Sequence, residues 1–463
     1  MITQGHLVID PDVLRRYGHA GPRYTSYPTA DRFVEAFDER TYRSWLRKRG
    51  LGAMARPLSM YVHLPFCDTV CFYCACNKVV TRDHSRAGKY LRYLATEARL
   101  VSESLDGDRR LSQLHWGGGT PTFLQPDELK ELMAIITSHF KLEPDGEYSI
   151  EVDPRSAAPG TMTLLADLGM NRVSIGVQDF DETVQKAVNR VQSEELTRAV
   201  VEESRRAGFR SVNLDLIYGL PKQNVIGFNR TLERVIDLGP DRIALYSYAH
   251  LPHLFKPQRR ILDKDLPTPE AKLNMLTLAI RRLENAGYVY IGMDHFALPD
   301  DELAVAQRQG RLHRNFQGYS THSDCDLVAL GVTAIGSIGP TYTQNVRTLD
   351  EYYDRLDRGV LPVMRGVELS ADDLLRRTII QSIMCHGTVS IESIQIAYLL
   401  DFRQYFAEEI ADLQCFIDDG LVVIDDEWLS VTAKGRLLVR AVCMVFDRYL
   451  RTQQRRASYS KVI

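Results

Sequence analysis

The sequence predicts an α/β protein built on a βα barrel or partial barrel, with an N-terminal lead-in over residues 1–55 and a mostly helical C-terminal part over residues 366–463. Three observations predict it. From residue 56 short β-type runs alternate with amphipathic helical stretches, the pattern of parallel βα units. Four of the eight cysteines fall within ten residues, directly behind the first such run. Near residue 367 the alternation stops and a helical pattern takes over.

In chain order, the lead-in carries the turn-rich aromatic stretch Gly21-Pro22-Arg23-Tyr24-Thr25-Ser26-Tyr27-Pro28 and a short helix over about residues 40–49. Strands are expected at 60–64, 111–116, 147–152, 172–177, 211–217 and 242–248. Helices are expected at 86–105, 126–140, 161–168, 194–207 and 225–238, and at 270–286, where Gly287 is a C-cap. Six consecutive units make a barrel or a partial one; periodicity does not distinguish the two. Residues 290–345 read as irregular and rich in Gly, Ser and Thr, so the barrel region is taken as 56–365. Ser370 with Asp373 has the form of a capping box. Beyond it lie two helices, a strand at 421–424, a turn at 425–427, a strand at 428–431 and a last helix from Ala433. This is a small winged-helix-like layout, expected to serve packing. The tail, residues 448–463, holds five basic residues and no acidic one, and reads as a solvated terminus.

Composition narrows the function. Of 463 residues, 44% are hydrophobic and 25% charged, an ordinary globular balance that excludes disordered, collagen-like and disulfide-scaffold classes. Lys and Arg number 57 against 60 Asp and Glu, a net charge of −3. A nucleic-acid footprint wants a clearly basic domain, so none is expected. No apolar run approaches the ~18–20 residues of a membrane helix. Residues 1–13 lack a basic segment followed by an apolar one. A cytoplasmic location without membrane association is expected, and thiols stay reduced there.

Cys67-x3-Cys71-x2-Cys74 therefore reads as a metal loop. Three thiolates on one loop suit a soft metal. A [4Fe–4S] cluster takes four thiolates, so three leave one iron open. Structural zinc, completed by Cys76 or His63, is the alternative, although zinc ligands usually come as two separated pairs. Cys76, two residues on, lies near the site without being an obvious ligand. Active sites of βα barrels form at the C-terminal strand ends. There the sequence places Gly117-Gly118-Gly119-Thr120, Glu151-Val152-Asp153, Gln178-Asp179, Asp215 with Tyr218-Gly219, and Tyr246-Ser247-Tyr248-Ala249. Glycines allow close backbone approach to a ligand or simply a tight turn. The carboxylates suit ribose hydroxyls or an ammonium group, or merely cap helices.

Tyr61-Val62-His63-Leu64-Pro65-Phe66-Cys67, with Tyr73 before Cys74, resembles the cluster loop of radical S-adenosylmethionine enzymes. With 21–29, 61–78, 115–122, 149–155, 174–180 and Asn189-Arg190, 213–221, 294–296 and 315–320, the chain resembles the oxygen-independent coproporphyrinogen III oxidase family nearly end to end. Cys74-Ala75-Cys76-Asn77-Lys78 is the marker beyond the superfamily. The chain departs at Ala75, where the family usually has Gly, and around Ser320-Thr321-His322.

The resemblance implies a partial (βα)6 TIM-like barrel. It implies that Cys67, Cys71 and Cys74 hold a [4Fe–4S] cluster whose open iron binds S-adenosylmethionine, and that Cys76 is needed without ligating. Tyr61, Gly118, Glu151 and Ile335 would contact that S-adenosylmethionine. Tyr73, Gly119, Thr120, Gln178, Arg190, Asp215 and Ala249, with Phe316 and Gln317, would contact a second one. The implied reaction is decarboxylation of two propionates of coproporphyrinogen III to vinyl groups by a 5′-deoxyadenosyl radical, giving protoporphyrinogen IX in haem biosynthesis. It needs a one-electron donor protein, and the family's behaviour implies a monomer. Arg23 is a candidate partner for a substrate carboxylate, because Arg is the favoured fork for that group. A haem chaperone and a zinc-stabilised DNA-binding regulator are the rival readings.

Overall fold

The structure, a computed structural model, describes residues 7–8, 10–49, 56–322 and 325–451. The remainder of the expected lead-in and the tail from residue 452 lie outside the described residues.

Six expected strands form. They are β1 (Leu58–Leu64), β2 (Arg110–Gly118), β3 (Lys141–Val152), β4 (Arg172–Gln178), β5 (Ser211–Tyr218) and β6 (Arg242–Ser247). Each is followed by a helix, among them α1 (Ser85–Ser104), α2 (Pro126–Thr137), α3 (Thr161–Asp167), α4 (Glu194–Arg206), α5 (Val225–Leu238) and α6 (Pro269–Asn285). Local chemistry sets the helix ends. Ser193, Asn224 and Thr268 side chains accept from the first turns of α4, α5 and α6. Gly239 closes α5 at φ 59°, a left-handed conformation that favours glycine.

All six strands run parallel, in sequence order. The sheet continues past both ends. β7 (Val289–Gly292) and β8 (His295–Ala297) add antiparallel beyond β6. β9 (Asp326–Leu330) adds parallel to the outer side of β1, with Leu58 opposite Asp326. The order is β9-β1-β2-β3-β4-β5-β6-β8-β7, a nine-stranded open sheet. The barrel is thus partial.

The segment 290–345 is more regular than its composition indicates. Besides β8 and β9 it contains the hairpin of His313–Asn315 with Gly318–Ser320, and the pair Ile335–Gly336 with Thr341–Asn345. β9 is buried at all five positions, so it shows no alternation, and its short run is hard to separate from a buried turn.

The C-terminal part begins at Ser370, which forms a complete capping box with Asp373 over the helix Ala371–His386. Strands Thr388–Ser390, Trp428–Val431 and Val422–Ile424 make a small antiparallel sheet, the first of them unexpected. The helix expected from Ala433 starts at Val439, because Thr432 first caps a turn that runs into the short helix Arg436–Leu438, and one more short helix, Arg448–Arg451, follows it.

Apolar side chains gather in two main cores. One fills the barrel wall, from Met60 and Trp116 to Leu245 and Ile280. The other centres on Ile379, Phe402, Phe406, Leu413 and Phe446. The lead-in is shared between them: Phe37, Tyr42 and Leu46 join the first, and Val13, Leu14, Tyr24 and Tyr27 the second. No described helix is long and apolar enough to cross a membrane.

Candidate active site

Parallel strands alternate their side chains between two faces. On β1 to β6 one face packs on the helices. The other carries Tyr61, Gln113, His115, Ser149, Glu151, Ser174, Asn213, Asp215 and Tyr246 into the barrel interior. Register aligns them: Tyr61 lies beside His115, Glu151 beside Ser174, Ser174 beside Asn213. A cavity of about 150 Å³ runs between them, and Gln317 reaches into it from the hairpin that follows β8 in the chain.

Glu151 is the centre of the upper layer. Its Oε2 accepts from the Gly118 N–H at 3.2 Å, and its Oε1 lies 3.3 Å from His115 Nε2. Burial pushes its pKa up, but the His115 and Gly118 hydrogen bonds overcome that and hold it below its ordinary value. His115 stacks on Tyr61, and its Nδ1 lies 2.5 Å from Ser149 Oγ. Tyr61 Oη lies 3.0 Å from His63 Nδ1, whose Nε2 reaches the Asn77 carbonyl at 3.1 Å. Asp215 accepts from Ser174 Oγ at 2.9 Å and Asn213 Nδ2 at 2.8 Å, and burial pushes it up to about 7.

The glycine run at the end of β2 is a packing requirement. A Cβ at Gly117 would meet the Glu151 carboxylate at 2.9 Å, and one at Gly119 the Phe66 carbonyl at 2.7 Å. At Gly118, φ is 122° and a Cβ would meet the His63 ring at 2.8 Å.

The cysteine loop sits over these strand ends. Cys67 and Cys71 are buried, Cys74 half-buried and Cys76 open to solvent. Thr120 Oγ1 donates to Cys67 Sγ at 3.4 Å. Arg155 Nη2 and Arg190 Nη1 donate to Cys71 Sγ at 3.5 and 3.7 Å. Arg190 also binds Asp153 at 2.8 Å and the Gly176 carbonyl at 2.7 Å, and its Nε has no partner although buried. Gln178, at φ 68°, ends β4 beside Arg190, and a Cβ on Gly176 would meet both side chains. Burial raises the Cys67 thiol to about 11. Hydrogen bonding from the Cys76 thiol, joined by Lys78, lowers Cys74.

Tyr73 packs with Phe72, Ile217, Leu220 and Ile261. Ala249 lines a separate cavity of about 510 Å³ at the ends of β5 and β6, with Arg23, Tyr218, Ser247, Asp294 and Arg440. Arg23 ion-pairs with Asp294 and lies 5.9 Å from the Tyr246 ring centroid. Phe316 and Ile335 fall outside the Glu151 network and pack with Tyr342 and Phe33. The expected residues therefore divide into three places: the cysteine loop with the strand ends, the Arg23 cavity, and this satellite cluster.

The Radical SAM superfamily matches residues 61–235, and the HemN C-terminal domain residues 369–438. The oxygen-independent coproporphyrinogen III oxidase of Pseudomonas aeruginosa is 52% identical over 459 residues, covering 98% of both chains. That of Escherichia coli is 48% identical, with 98% of both covered. The solved structure of coproporphyrinogen III oxidase from Escherichia coli, described as a radical SAM enzyme, superposes with a TM-score of 0.91 at 46% identity, covering 96% of this chain and all of that one.

The chain belongs to the oxygen-independent coproporphyrinogen III oxidase family. As a radical SAM oxidoreductase of this family it uses a [4Fe–4S] cluster and S-adenosylmethionine. The residues present fit both. Sulfurs of Cys67 and Cys71 already accept from a hydroxyl and two guanidinium groups, as an anionic cluster requires. Among the described residues no three His, Cys, Asp or Glu side chains are gathered to hold one metal ion. A multi-iron cluster, whose thiolates bind different irons, asks for a wider spread. Arg190 Nε and Asn213 Oδ1 are buried without a partner, so the strand ends retain polar atoms that a polar ligand can satisfy.

Sequence reasoning taken at the strand ends alone missed His115, Ser149, Arg155, Ser174 and Asn213. The signal was present: in β2 to β5 every second residue is polar, which in a parallel strand marks a lined interior.

Proposed function

We propose that the chain converts coproporphyrinogen III to protoporphyrinogen IX by oxidative decarboxylation of two propionates. The observation that carries this reading is the joining of the cysteine loop to the strand ends: Arg190 and Arg155 bind Cys71 and Asp153 together.

Cys67, Cys71 and Cys74 would hold the cluster, with Cys76 beside it. Tyr61, Gly118 and Glu151, with Ile335 from the flanking cluster, would contact the cluster-bound S-adenosylmethionine. Tyr73, Gly119, Thr120, Gln178, Arg190, Asp215, Ala249, Phe316 and Gln317 would serve a second one. When bound, the two cofactors supply one electron and a radical able to take an unactivated hydrogen atom, which no side-chain base achieves.

The protein's own part is positioning. Glu151, held ionised by His115 and Gly118, accepts from an ammonium group. Asp215 accepts from ribose hydroxyls. Arg23, beside Tyr246 at the cavity wall, pairs with a propionate carboxylate. Each substrate propionate loses a hydrogen atom, one electron and CO2, leaving a vinyl group. The apolar walls of Tyr218, Tyr248 and Leu273 exclude water from the 510 Å³ cavity. We take the protein to be a cytoplasmic monomer that receives its electrons from a carrier protein and needs neither nucleic acid nor membrane.

The test is anaerobic. Reconstituted protein with reductant, S-adenosylmethionine and coproporphyrinogen III should yield the divinyl product; absence of that product from iron-replete protein would reject the substrate.

A further inference from the structure

The reading above requires that electrons enter from outside, one at a time, and electron tunnelling falls off steeply with distance. The donor must therefore dock beside the cysteine loop. One exposed surface there combines cations with apolar side chains. The segment between β6 and α6 folds back onto the loop: Ile261 packs with Phe72 and Tyr73, Gln258 Nε2 donates to the Tyr73 carbonyl at 3.0 Å, and Arg260 lies 5.0 Å from the Phe72 ring centroid. Tyr73 immediately precedes Cys74, so this segment covers the outer side of the metal loop.

Its outward face is basic. Lys256, Arg259, Arg260 and Lys264 are all exposed, within nine residues. Among the described residues none of the four forms an ion pair, whereas Arg99, Arg198, Arg358 and many other surface cations do. Of the neighbouring carboxylates, Asp265 pairs with Lys222 at 2.7 Å, and Asp263, which stays exposed, lies 3.2 Å from His250 Nε2, which leaves four cations against a single exposed carboxylate. Leu254 and Leu262, 54% and 52% exposed, lie in the same segment and add apolar surface to the charge. A net charge of −3 over the whole chain makes an unneutralised basic patch here a local feature.

We propose that the surface formed by Leu254, Lys256, Arg259, Arg260, Leu262 and Lys264 is the docking site for a small acidic one-electron carrier protein. Unpaired cations beside the cluster loop steer an acidic partner into the orientation that brings its redox group over the loop, and two leucines supply the short-range contact. Charge complementarity of this kind acts chiefly on association rate and weakens with salt. The proposal rests on the radical-enzyme reading, which is what makes an electron entry point necessary.

The experiment uses the full chain with its cluster reconstituted, and a reduced, acidic FMN-binding carrier protein as the probe. The first readout is bleaching of cluster absorbance on mixing, which needs no substrate. Lys256→Glu with Arg259→Glu should slow carrier-driven bleaching at least tenfold, and rising salt should slow the unaltered chain in the same direction. Dithionite, which needs no docking, should bleach both proteins alike. The KM for coproporphyrinogen III under dithionite should not change. Carrier-driven bleaching at the same rate in the double variant would overturn the proposal. So would a raised porphyrinogen KM with unchanged carrier kinetics, which would assign the patch to substrate. Normal bleaching without divinyl product would instead reject the substrate reading and leave the docking site standing.

Discussion

Cys76 and Cys74 are two residues apart, yet they are open to water to different degrees. Cys67, Cys71 or Cys74 replaced by Ser should cost the cluster and all turnover, since a hard hydroxyl replaces a soft thiolate. Cys76→Ser should keep its iron, by metal analysis, and lose product. Iron loss as complete as in Cys74→Ser would make Cys76 a ligand. Asp215 yields a prediction in pH. Its pKa is raised to about 7 by burial, so folding favours the protonated acid, and the ionised form costs stability increasingly as pH rises from the ordinary carboxyl range toward 7. Accepting from ribose needs the ionised form. S-adenosylmethionine binding should weaken as pH falls below about 7, and Asp215→Asn should flatten that profile. At pH 8 Asp215→Asn should melt roughly 1–3 °C higher while binding S-adenosylmethionine more weakly. A lower melting temperature at pH 8 would contradict the burial argument. Gln178→Ala should weaken cofactor use by about 1–3 kcal/mol without loss of iron.

At the scale of elements, the lead-in is the informative case. Residues 21–28 are held by the C-terminal part: Arg440 donates to the Pro22 and Gly21 carbonyls, Tyr24 Oη donates to Asp447 at 3.0 Å, and the Arg448 N–H donates to Tyr27 Oη at 3.3 Å. Tyr24 and Tyr27 belong to a core, so the segment is built in rather than draped over the surface. It sets Arg23 in the wall of the large cavity. Deleting residues 1–30 removes core as well as Arg23, so the point variant is the sharper test. Arg23→Ala should keep iron and S-adenosylmethionine cleavage, raise the KM for coproporphyrinogen III, and uncouple cleavage from decarboxylation. An unchanged KM and coupling ratio would leave Arg23 a structural partner of Asp294 only.

At the scale of the whole molecule the C-terminal part packs directly on the edge of the barrel sheet: Ile291, Ala297, Leu303 and Tyr319 share its core, Tyr319 Oη donates to the Met384 carbonyl at 3.0 Å and Gln381 Nε2 to the Arg314 carbonyl at 2.9 Å. The C-terminal part reaches the cavity directly, with Leu437, Val439 and Arg440 in its wall, and also by holding the lead-in that carries Arg23. Phe446, fully buried against Phe406 at 5.7 Å between ring centroids, supports the helix that carries Arg440. Phe446→Ala should destabilise that core by ~3–5 kcal/mol. It should also raise the KM for substrate while iron content stays at the level of the unaltered chain. Iron loss in parallel would mean that the two parts fold as one unit.

Sequence alone determined what is local. The spacing of Cys67, Cys71 and Cys74, the period of the six βα units and the capping box at Ser370 each depend on residues a few positions apart, so each is legible without coordinates. The polar strand ends were legible for the same reason. What needed the tertiary structure is everything set by distant chain segments meeting. Whether the barrel closes depends on which strand takes each edge, and the buried run Asp326–Leu330 settles that by pairing with β1 rather than with β6. That Thr120, Arg155 and Arg190 serve the cysteine sulfurs depends on strand ends some 50 to 120 residues away in sequence. The triple glycine looked equally like a ligand cradle or a turn, and the packing of Glu151, His63 and Pro65 against it is what requires glycine there. Arg23 reaches the cavity only because Asp447 and Arg440, more than 400 residues later, hold its neighbours. Such contacts carry no periodicity or spacing, because they are fixed by packing between elements and not by the chain's local conformation.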